Sequence, residues 1–374
     1  MTVLLIYCLV MLAVHFVVVA GIIRACRMSR RMCDDSGNAA FKVSVIIPAR
    51  NEEKNLPMLF KSLEHNMDPD LEIILADDRS TDRTLRMMQF FASMHPNVKV
   101  ISNTEEPGTD MNPKHHMLAL AEKAATGDIL MFTDADCIIP QDWVPNVCRY
   151  FQNPNVGLVF STVVTVPGNS FLEKYQTYDH LLRFFYTVGA VGLGNPSGGF
   201  GNNLAVRRAA LADVGGFEGI GFSLTEDAQL IASVRNTGKW QIAVSPFRET
   251  MVYAQPQKRY SDVLKQETRW SAGALYGRDK MTGIMYSFML MFTVAGTVGL
   301  LGSMFDPMGL GCFTILIWGM GLVALTGSYY AKFDNYFRAF IIPCTCLGGV
   351  FYCITFLAAF FVRTVKWKGT AIKK

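Results

Sequence analysis

The sequence predicts an α/β domain of the doubly wound type, set between apolar ends that belong in a membrane. Three observations carry this. Between residues 41 and 136, short apolar runs of strand length alternate with stretches of helix length, the order that builds a parallel sheet. Each of those runs ends in polar residues, and ligands of open α/β sheets sit at the C-terminal ends of the strands. Finally, apolar residues make up 51% of the 374 and charged residues only 18%, with the excess concentrated at the two ends.

Taken in order, Val3 to Ile23 carries no formal charge and is long enough to cross a bilayer. Arg24, Arg27, Arg30 and Arg31 follow at once. A cleaved signal would carry its charge before the apolar run, so residues 1–24 read as an uncleaved anchor. Its N-terminus is expected outside, with the next domain held in the cytoplasm by the arginines. His15, inside the span, reads as a helix-packing residue rather than a proton carrier. Cys33 to Ala40 is a polar linker. The first strand is expected over Phe41 to Ile47, stopped by Pro48, with Asn51 capping a helix from Leu56 to Glu64. A second strand, Leu71 to Ala76, ends in Asp77-Asp78, and Ser80 or Thr81 can cap a helix from Arg83 to Phe91. A third strand over Val98 to Ser102 and a helix over Lys114 to Ala125 lead to the central strand, Ile129 to Phe132. That strand delivers Asp134 and Asp136. Right-handed crossovers bring Pro48 to Glu52, Asp77-Asp78 and Asp134 to Asp136 to one edge. Carboxylates at this spacing can share a hard divalent cation and, through it, a diphosphate; by themselves they are also compatible with a plain polar loop.

After Asp136 the pattern changes. Val156 to Val166 reads as a strand. Phe171 to Val188, mixing aromatics with Lys174, Asp179, His180 and Arg183, reads equally as an interfacial amphipathic helix or an ordinary half-buried one. Gly189 to Asn203 is too glycine-rich for a regular element and suits a loop whose backbone approaches a ligand. Leu204 to Val214 is expected to be helical, closing at Gly215-Gly216. Leu224-Thr-Glu-Asp227 opens a helix over Ala228 to Asn236, where the helix dipole alone would favour the acidic pair. Trp240 to Val244 is a short strand. Gln266, Arg269 and Trp270 lie on a helical stretch at spacings that put them side by side. Apolar spans follow over Met281 to Met304, Met308 to Gly327 and Ala339 to Val362, the first two joined by an Asp306-Pro307 turn. Three crossings would leave the basic tail (Arg363, Lys366, Lys368, Lys373, Lys374) outside, against its preference for the cytoplasm. Either one span is re-entrant or interfacial, or the loop with Lys332 and Arg338 faces outside. The net charge of +4 clusters beside the apolar segments, which points to a membrane surface and not to nucleic acid. Nine cysteines without a Cys-x-x-Cys or a Cys/His cluster indicate neither a disulfide framework nor a zinc site.

Four signals stand in order: Asp77-Asp78 after a strand, Asp134-Ala-Asp136 after a strand, Glu226-Asp227 at a helix start, and Gln266-x-x-Arg269-Trp270. In this order, between membrane segments, they resemble the membrane-bound family 2 glycosyltransferases of GT-A fold, over about Val43 to Trp270. Phe200 to Arg208 and Val214 to Phe217 look like the family's acceptor-side region. The resemblance implies a GT-A (Rossmann-like) cytoplasmic domain over residues 41–275, C-terminal membrane helices over 281–362 and a basic tail over 363–374. It implies that Asp78 contacts the nucleotide base and that Pro48, Arg50 and Glu52 line the base and ribose pocket. Arg50 stands where an aromatic or polar residue is often found. Lys114 would reach the nucleotide, Asp134 would lie near ribose and metal, and Asp136 would bind Mg²⁺ or Mn²⁺. Asp227 would be the general base, and Gln266, Arg269 and Trp270 would hold the diphosphate and the acceptor entrance.

The residue types suit the chemistry. A nucleoside diphosphate leaves readily only when its developing charge is neutralised, which a cation on Asp136 and the Arg269 guanidinium provide. Asp227 can take the proton of a weakly nucleophilic hydroxyl. One base without a second nucleophile implies a single displacement and inversion. The expected enzyme is therefore an inverting, metal-dependent hexosyltransferase, with a nucleotide sugar (a UDP-hexose) as donor and a membrane lipid as acceptor. The short chain and the tail Arg363-x-x-Lys-Trp-Lys-Gly369 resemble the ceramide glucosyltransferase-like and bacterial glycolipid transferases. The location expected is a multi-pass place in a bacterial inner membrane. Alternatives are a processive synthase of the cellulose or hyaluronan type, a haloacid-type phosphatase, which also places Asp-x-Asp after a strand, and a non-enzymatic membrane protein. Ile138 stands where the phosphatase would carry Thr or Val.

Overall fold

A computed structural model describes residues 2–34, 40–106, 111–166, 168–332, 340–361, 364–367 and 370–373. The chain opens with a long helix, α1 (Thr2–Asp34), which takes up the start of the expected linker; residues 35–39 of that linker lie outside the described residues. The α/β part follows as β1 (Val43–Ala49), α2 (Leu56–Glu64), β2 (Leu71–Asp78), α3 (Thr84–Met94), β3 (Val98–Asn103), α4 (Pro113–Ala124) and β4 (Ile129–Phe132). β3, β2, β1 and β4 lie side by side in parallel, as the strand–helix alternation requires. These strands are buried on both faces, and alternation assigns each residue to one of two cores. Val43, Val45 and Ile47 face the side of α2 and α3, while Ile46, Leu130 and Phe132 face the side of α4.

Beyond β4 the sheet departs from the all-parallel expectation. The seven-stranded order is β3-β2-β1-β4-β8-β6-β9, with β8 (Leu204–Arg207) antiparallel to both β4 and β6 (Val156–Ser161). The helix expected over Leu204 to Val214 is thus a strand for its first residues and helical only over α7 (Arg208–Ala212). The reason is tertiary: Leu204 and Val206 reach one core and Ala205 the other, which a strand allows and a helix does not. The strand expected over Val156 to Val166 breaks at Thr162. β7 (Val163–Thr165) leaves to pair with β10 (Val252–Ala254), which also holds β5 (Cys137–Ile138); β9 (Gln241–Ser245) closes the large sheet.

Two boundary readings are also corrected. Pro48 lies inside β1, opposite Ala76, and does not stop it; β4 already ends opposite Ile46, so no ladder bond from residue 48 is needed on that side. Asn51 does not cap α2, whose first flanking residue is Asn55. It adopts a left-handed conformation (φ 55°), and its side-chain oxygen accepts from the Thr81 N–H at 2.8 Å. The N–H of Thr84, at the start of α3, is met by Asp82 at 2.9 Å, not by Ser80 or Thr81.

α6 (Phe171–Gly192) begins with a capping box between Ser170 and Glu173 and runs on through Gly189 and Gly192, where a loop was expected. It is buried nearly all round, by α1 on one side and by the C-terminal helices on the other. Glycine is accepted there because α1 and α6 cross in contact: a Cβ on Gly192 would collide with the Gly21 carbonyl group. α8 (Gly216–Gly219), α9 (Glu226–Asn236) and α10 (Tyr260–Tyr276) follow, then α11 (Lys280–Gly302), α12 (Met308–Ala331) and α13 (Ile341–Phe361). α1, α11, α12 and α13 are long and apolar enough to cross a membrane. Arg338, Arg363, Lys368 and Lys374, on which the topology argument partly rests, lie outside the described residues; Lys366 and Lys373 belong to a terminal hairpin of β11 (Thr364–Trp367) and β12 (Thr370–Lys373). One apolar cluster runs unbroken from the sheet (Leu130, Phe132) through α6 (Phe184, Val188) to α1 and α12 (Ile22, Leu316). His15 packs within it. Its Nδ1 lies 2.6 Å from the Met11 carbonyl and its Nε2 2.6 Å from the Tyr186 hydroxyl, so Nδ1 donates to the former and Nε2 accepts from the latter. All nine cysteines are free.

Candidate active site

The C-terminal ends of β1 and β4 open into a cavity of about 530 Å³, within the range of small-molecule sites. Pro48, Arg50, Glu52, Lys114, Asp134 and Asp136 line one end of it. After β4 the chain turns, with the Cys137 N–H bonding the Asp134 carbonyl at 3.1 Å. Ala135 and Cys137 go into the core, while Asp134 and Asp136 stay half-buried on the cavity side. Lys114, in the first turn of α4, places its ammonium 2.7 Å from Asp134 and 3.4 Å from Glu226. Burial alone would push this ammonium down, but the carboxylates around it outweigh that and raise its pKa, so it stays charged.

Glu226 and Asp227, adjacent in the first turn of α9, are driven apart. Burial works to raise Glu226, yet Lys114, its own backbone N–H, Arg269 and His115 together outweigh it, and its carboxyl sits below the usual range. Asp227 is pushed up to about 6, first by burial and then by the Glu226 charge, with Lys114 opposing. Two carboxyl groups whose environments separate them in this way suit different tasks. The Asp227 carboxylate is held at both oxygens, from the Gly201 N–H at 2.8 Å and the Ala228 N–H at 2.8 Å. The Gly201 bond comes from the glycine loop, in which Gly198 and Gly199 have φ of 74° and 140°, a region open to glycine. Asn203 pins the far end of that loop. Its amide donates to the Thr162 and Thr250 carbonyls, both at 2.7 Å, and accepts from the Trp143 indole at 3.1 Å.

The other end of the cavity lies between α6, α10 and α11. Gln266, Arg269 and Trp270 all line it from α10. Arg269 is half-buried and has no ion-pair partner among the described residues, so its guanidinium is available to an anionic ligand. Asp78 is the sequence candidate that does not line the cavity. It is 2% exposed and ion-paired to Arg50 at 3.1 Å and Arg79 at 2.8 Å, standing behind Arg50. The Nε of Arg50 is buried without a partner. Among the described residues no group of three or more His, Cys, Asp or Glu forms a cage for a metal.

Sequence reasoning singled out the α6 segment but gave none of its residues a role in the site. His180, Arg183, Tyr186 and Thr187 all line the cavity. Arg183 is bonded to Asp179 at 2.6 Å, and Asp179 also accepts from the Tyr352 hydroxyl of α13. Its Cζ lies 4.8 Å from the centre of the Tyr352 ring and 5.5 Å from that of Trp270. Glu267, bonded to the Tyr175 hydroxyl at 2.7 Å, is pushed up to about 8 by burial and by Asp179. The only advance signal was the Asp179/Arg183 spacing of one helical turn within an aromatic run.

The profile of glycosyl transferase family 21 matches residues 6–373, nearly the whole chain. The chain belongs to this family. Curated relatives include a dolichol-phosphate mannosyltransferase of Pyrococcus furiosus, 36% identical over 30% of each chain. A beta-monoglucosyldiacylglycerol synthase of Nostoc sp. is 28% identical over 54% of this chain and 42% of its own. A 4,4'-diaponeurosporenoate glycosyltransferase of Staphylococcus haemolyticus is 32% identical over 42% of this chain and 39% of its own. The chain thus spans less than half the length of each of these relatives. A mannosyltransferase of Pyrobaculum calidifontis, solved with GDP-mannose and Mn²⁺, superposes with a TM-score of 0.53 at 19% identity, over 95% of this chain and 99% of its own. That likeness shows the GT-A fold, and with it the phosphatase alternative falls. The resemblance drawn from the four motifs holds for the fold and for membership of a glycosyltransferase family.

Proposed function

We propose that this family 21 protein transfers a hexose from a UDP-sugar to a hydroxyl of a membrane lipid, with inversion at the anomeric carbon. The observation that carries the reading is the place of Asp227. It stands between the charged end of the cavity and an end walled by α11, a helix long enough to cross a membrane. In this reading the nucleotide lies against Pro48, Arg50 and Glu52, with Asp78 fixing Arg50 from behind. The acceptor hydroxyl enters between α6, α10 and α11, past Trp270. Asp227 takes its proton as the oxygen attacks the anomeric carbon. The bond from that carbon to the diphosphate oxygen breaks, and the electron pair leaves with the diphosphate. Arg269 meets the charge that develops there. Gln266 and Trp270 border the path of the incoming alcohol, and Lys114 keeps Asp134 and Glu226 in register.

Asp134 and Asp136 are hard oxygen donors facing one cavity, and they fit a Mg²⁺ or Mn²⁺ ion held jointly with substrate phosphates. Such a cation, when bound, would neutralise further diphosphate charge. The α/β part would lie on the cytoplasmic side, next to Arg24, Arg27, Arg30 and Arg31.

The test is a product assay. Purified protein in nanodiscs is given UDP-glucose, UDP-galactose, UDP-N-acetylglucosamine or GDP-mannose with Mn²⁺ and a total lipid extract, and lipids are read by mass spectrometry. A lipid one hexose heavier is expected, with turnover reduced ~10²–10⁴-fold in Asp227→Asn. A ladder of sugars would replace this reading with a processive synthase. The absence of both turnover and binding for every donor would refute it.

A further inference from the structure

α1 shows two different faces. Cys8, Met11, His15, Ile22, Ala25, Cys26 and Ser29 are buried against the rest of the protein. On the opposite face, positions 6, 9, 10, 13, 16, 17 and 20 form an exposed stripe at the spacing of a single helix face. Ile6, Val10, Phe16 and Val17 are each more than half exposed. The same stripe continues without a step into Arg24, Arg27 and Arg31, spaced three and four residues apart and all exposed.

These three arginines are not used inside the protein. None makes an ion pair or hydrogen bond among the described residues. Arg30, one step round the helix, behaves differently: its guanidinium lies over the rings of Phe247 and Tyr330 at 5.8 and 5.7 Å. Arg24, Arg27 and Arg31 instead border a shallow recess whose floor is Ala20, Ile23 and Met28. Along the helix, Arg24 stands ~32 Å from Val3 and Arg31 ~42 Å. The hydrocarbon layer is ~30 Å thick, and the headgroup layers extend it to ~40–45 Å. Arg24 and Arg27 therefore stand at headgroup depth on one side of the bilayer.

We infer that this stripe is a binding site for an anionic phospholipid. Its acyl chain lies along Val10, Ala13, Phe16 and Ala20, and its phosphate is held by Arg24, Arg27 and Arg31. Ala13 and Ala20 are exposed on this face, and Ala20 opens into the recess beneath the arginines. Guanidinium groups pair with phosphate oxygens through two parallel bonds, and the phosphodiester of an anionic headgroup, unlike that of phosphatidylcholine, carries no ammonium of its own to compete with them. The site lies on the face of α1 turned away from the cavity, so it does not depend on the glycosyltransferase reading.

Native mass spectrometry of the full chain in detergent, titrated with phosphatidylglycerol or phosphatidylcholine, tests this. Each surface arginine contributes about a five-fold gain for anionic lipid. The wild type should then hold phosphatidylglycerol on the order of ten- to a hundred-fold more tightly than phosphatidylcholine, and added salt should weaken the preference. The triple variant Arg24→Gln/Arg27→Gln/Arg31→Gln should lose the preference, and the three Arg→Lys replacements should keep most of it. A control with two remote exposed lysines removed, Lys54→Gln/Lys61→Gln, should behave as wild type. Three outcomes would overturn the site. One is equal retention of both lipids. Another is a triple variant indistinguishable from the lysine control. The third is full displacement of phosphatidylglycerol by millimolar inorganic phosphate, which would reduce the stripe to a general anion patch.

Discussion

Replacing Gly201 by alanine should weaken the base while leaving Asp227 itself unsubstituted. A Cβ at this position would stand 3.0 Å from the Asp227 Cβ and 3.2 Å from its Oδ2, closer than ordinary contact by a few tenths of an ångström. The carboxylate must retreat, and the 2.8 Å bond from the Gly201 N–H lengthens. A hydrogen bond to a charged group is worth ~1.5–3 kcal/mol, and 1.36 kcal/mol corresponds to one pKa unit. Partial loss of the bond should therefore raise Asp227 by about one unit, from about 6 to about 7. The working form is the carboxylate, so activity falls as the pH drops through this pKa, and the acid limb of the profile should move up. At pH 6 the variant should retain about a fifth of the wild-type ionised fraction. On the alkaline plateau the displaced base should cost a further ~3–10-fold, since an error of about 1 Å costs ~10²-fold. The assay is kcat/KM for the donor from pH 5 to 9, with nucleotide affinity measured alongside as a control for the fold. An acid limb and a plateau both equal to wild type would refute the argument that this N–H positions and tunes the base.

Four further outcomes follow from contacts described above. Lys114→Met leaves Asp134 and Glu226 facing each other without a cation; stability should fall by up to ~3 kcal/mol and nucleotide affinity with it, read by thermal unfolding and calorimetry. Arg183→Met strands Asp179 and Glu267 at the α6 wall, so the KM for the lipid acceptor should rise several-fold while donor affinity holds, and Arg183→Lys should restore part of the loss. Gly192→Leu forces α1 and α6 apart and should cost ~1–3 kcal/mol, seen as a lower Tm, with Gly192→Ala in between. Glu72 is held at about 2, below its ordinary 4.5, because bonds from Lys99, Ser44 and Thr126 outweigh its burial. It contributes stability above pH 4.5 that is lost as the pH falls toward 2, so Glu72→Gln should lower Tm at pH 7 and by about half as much or less at pH 3.

Local pattern carried the first half of the fold. β1, β2 and β4 are short, apolar and followed by polar residues, and the helix-length stretches between them imply parallel pairing; their order in space, β2-β1-β4, is not their order in the sequence. The motifs at their ends were legible for the same reason, and so was the side-by-side placement of Gln266, Arg269 and Trp270 on one helix. What stayed hidden depends on distant partners. Leu204 to Arg207 is a strand only because β4 and β6 leave a slot between them, filled in reverse. Asp78 reads as a ligand-facing residue until Arg50 and Arg79 are seen to enclose it. Asn203 looks like one more polar loop residue, yet its three bonds reach positions 143, 162 and 250. The α6 wall escaped because Arg183 and His180 resemble the polar side of an ordinary amphipathic helix, and only the packing of α10 and α13 shows that this side faces inward.

The glycine crossing of α1 and α6 bears on how such a protein can change through evolution. An anchor that merely tethers a domain can be exchanged for any other hydrophobic segment, and lineages could shuffle it freely. Here the partner of the anchor is the helix that also carries His180 and Arg183, less than three turns before Gly189. A side chain added at Gly21 would push on the Gly189 carbonyl, and that displacement would travel along a rigid rod into the cavity wall. The first helix and the interior are thus constrained to vary together. A chimera with a foreign N-terminal segment should lose its shape at the acceptor end while its nucleotide end stays intact.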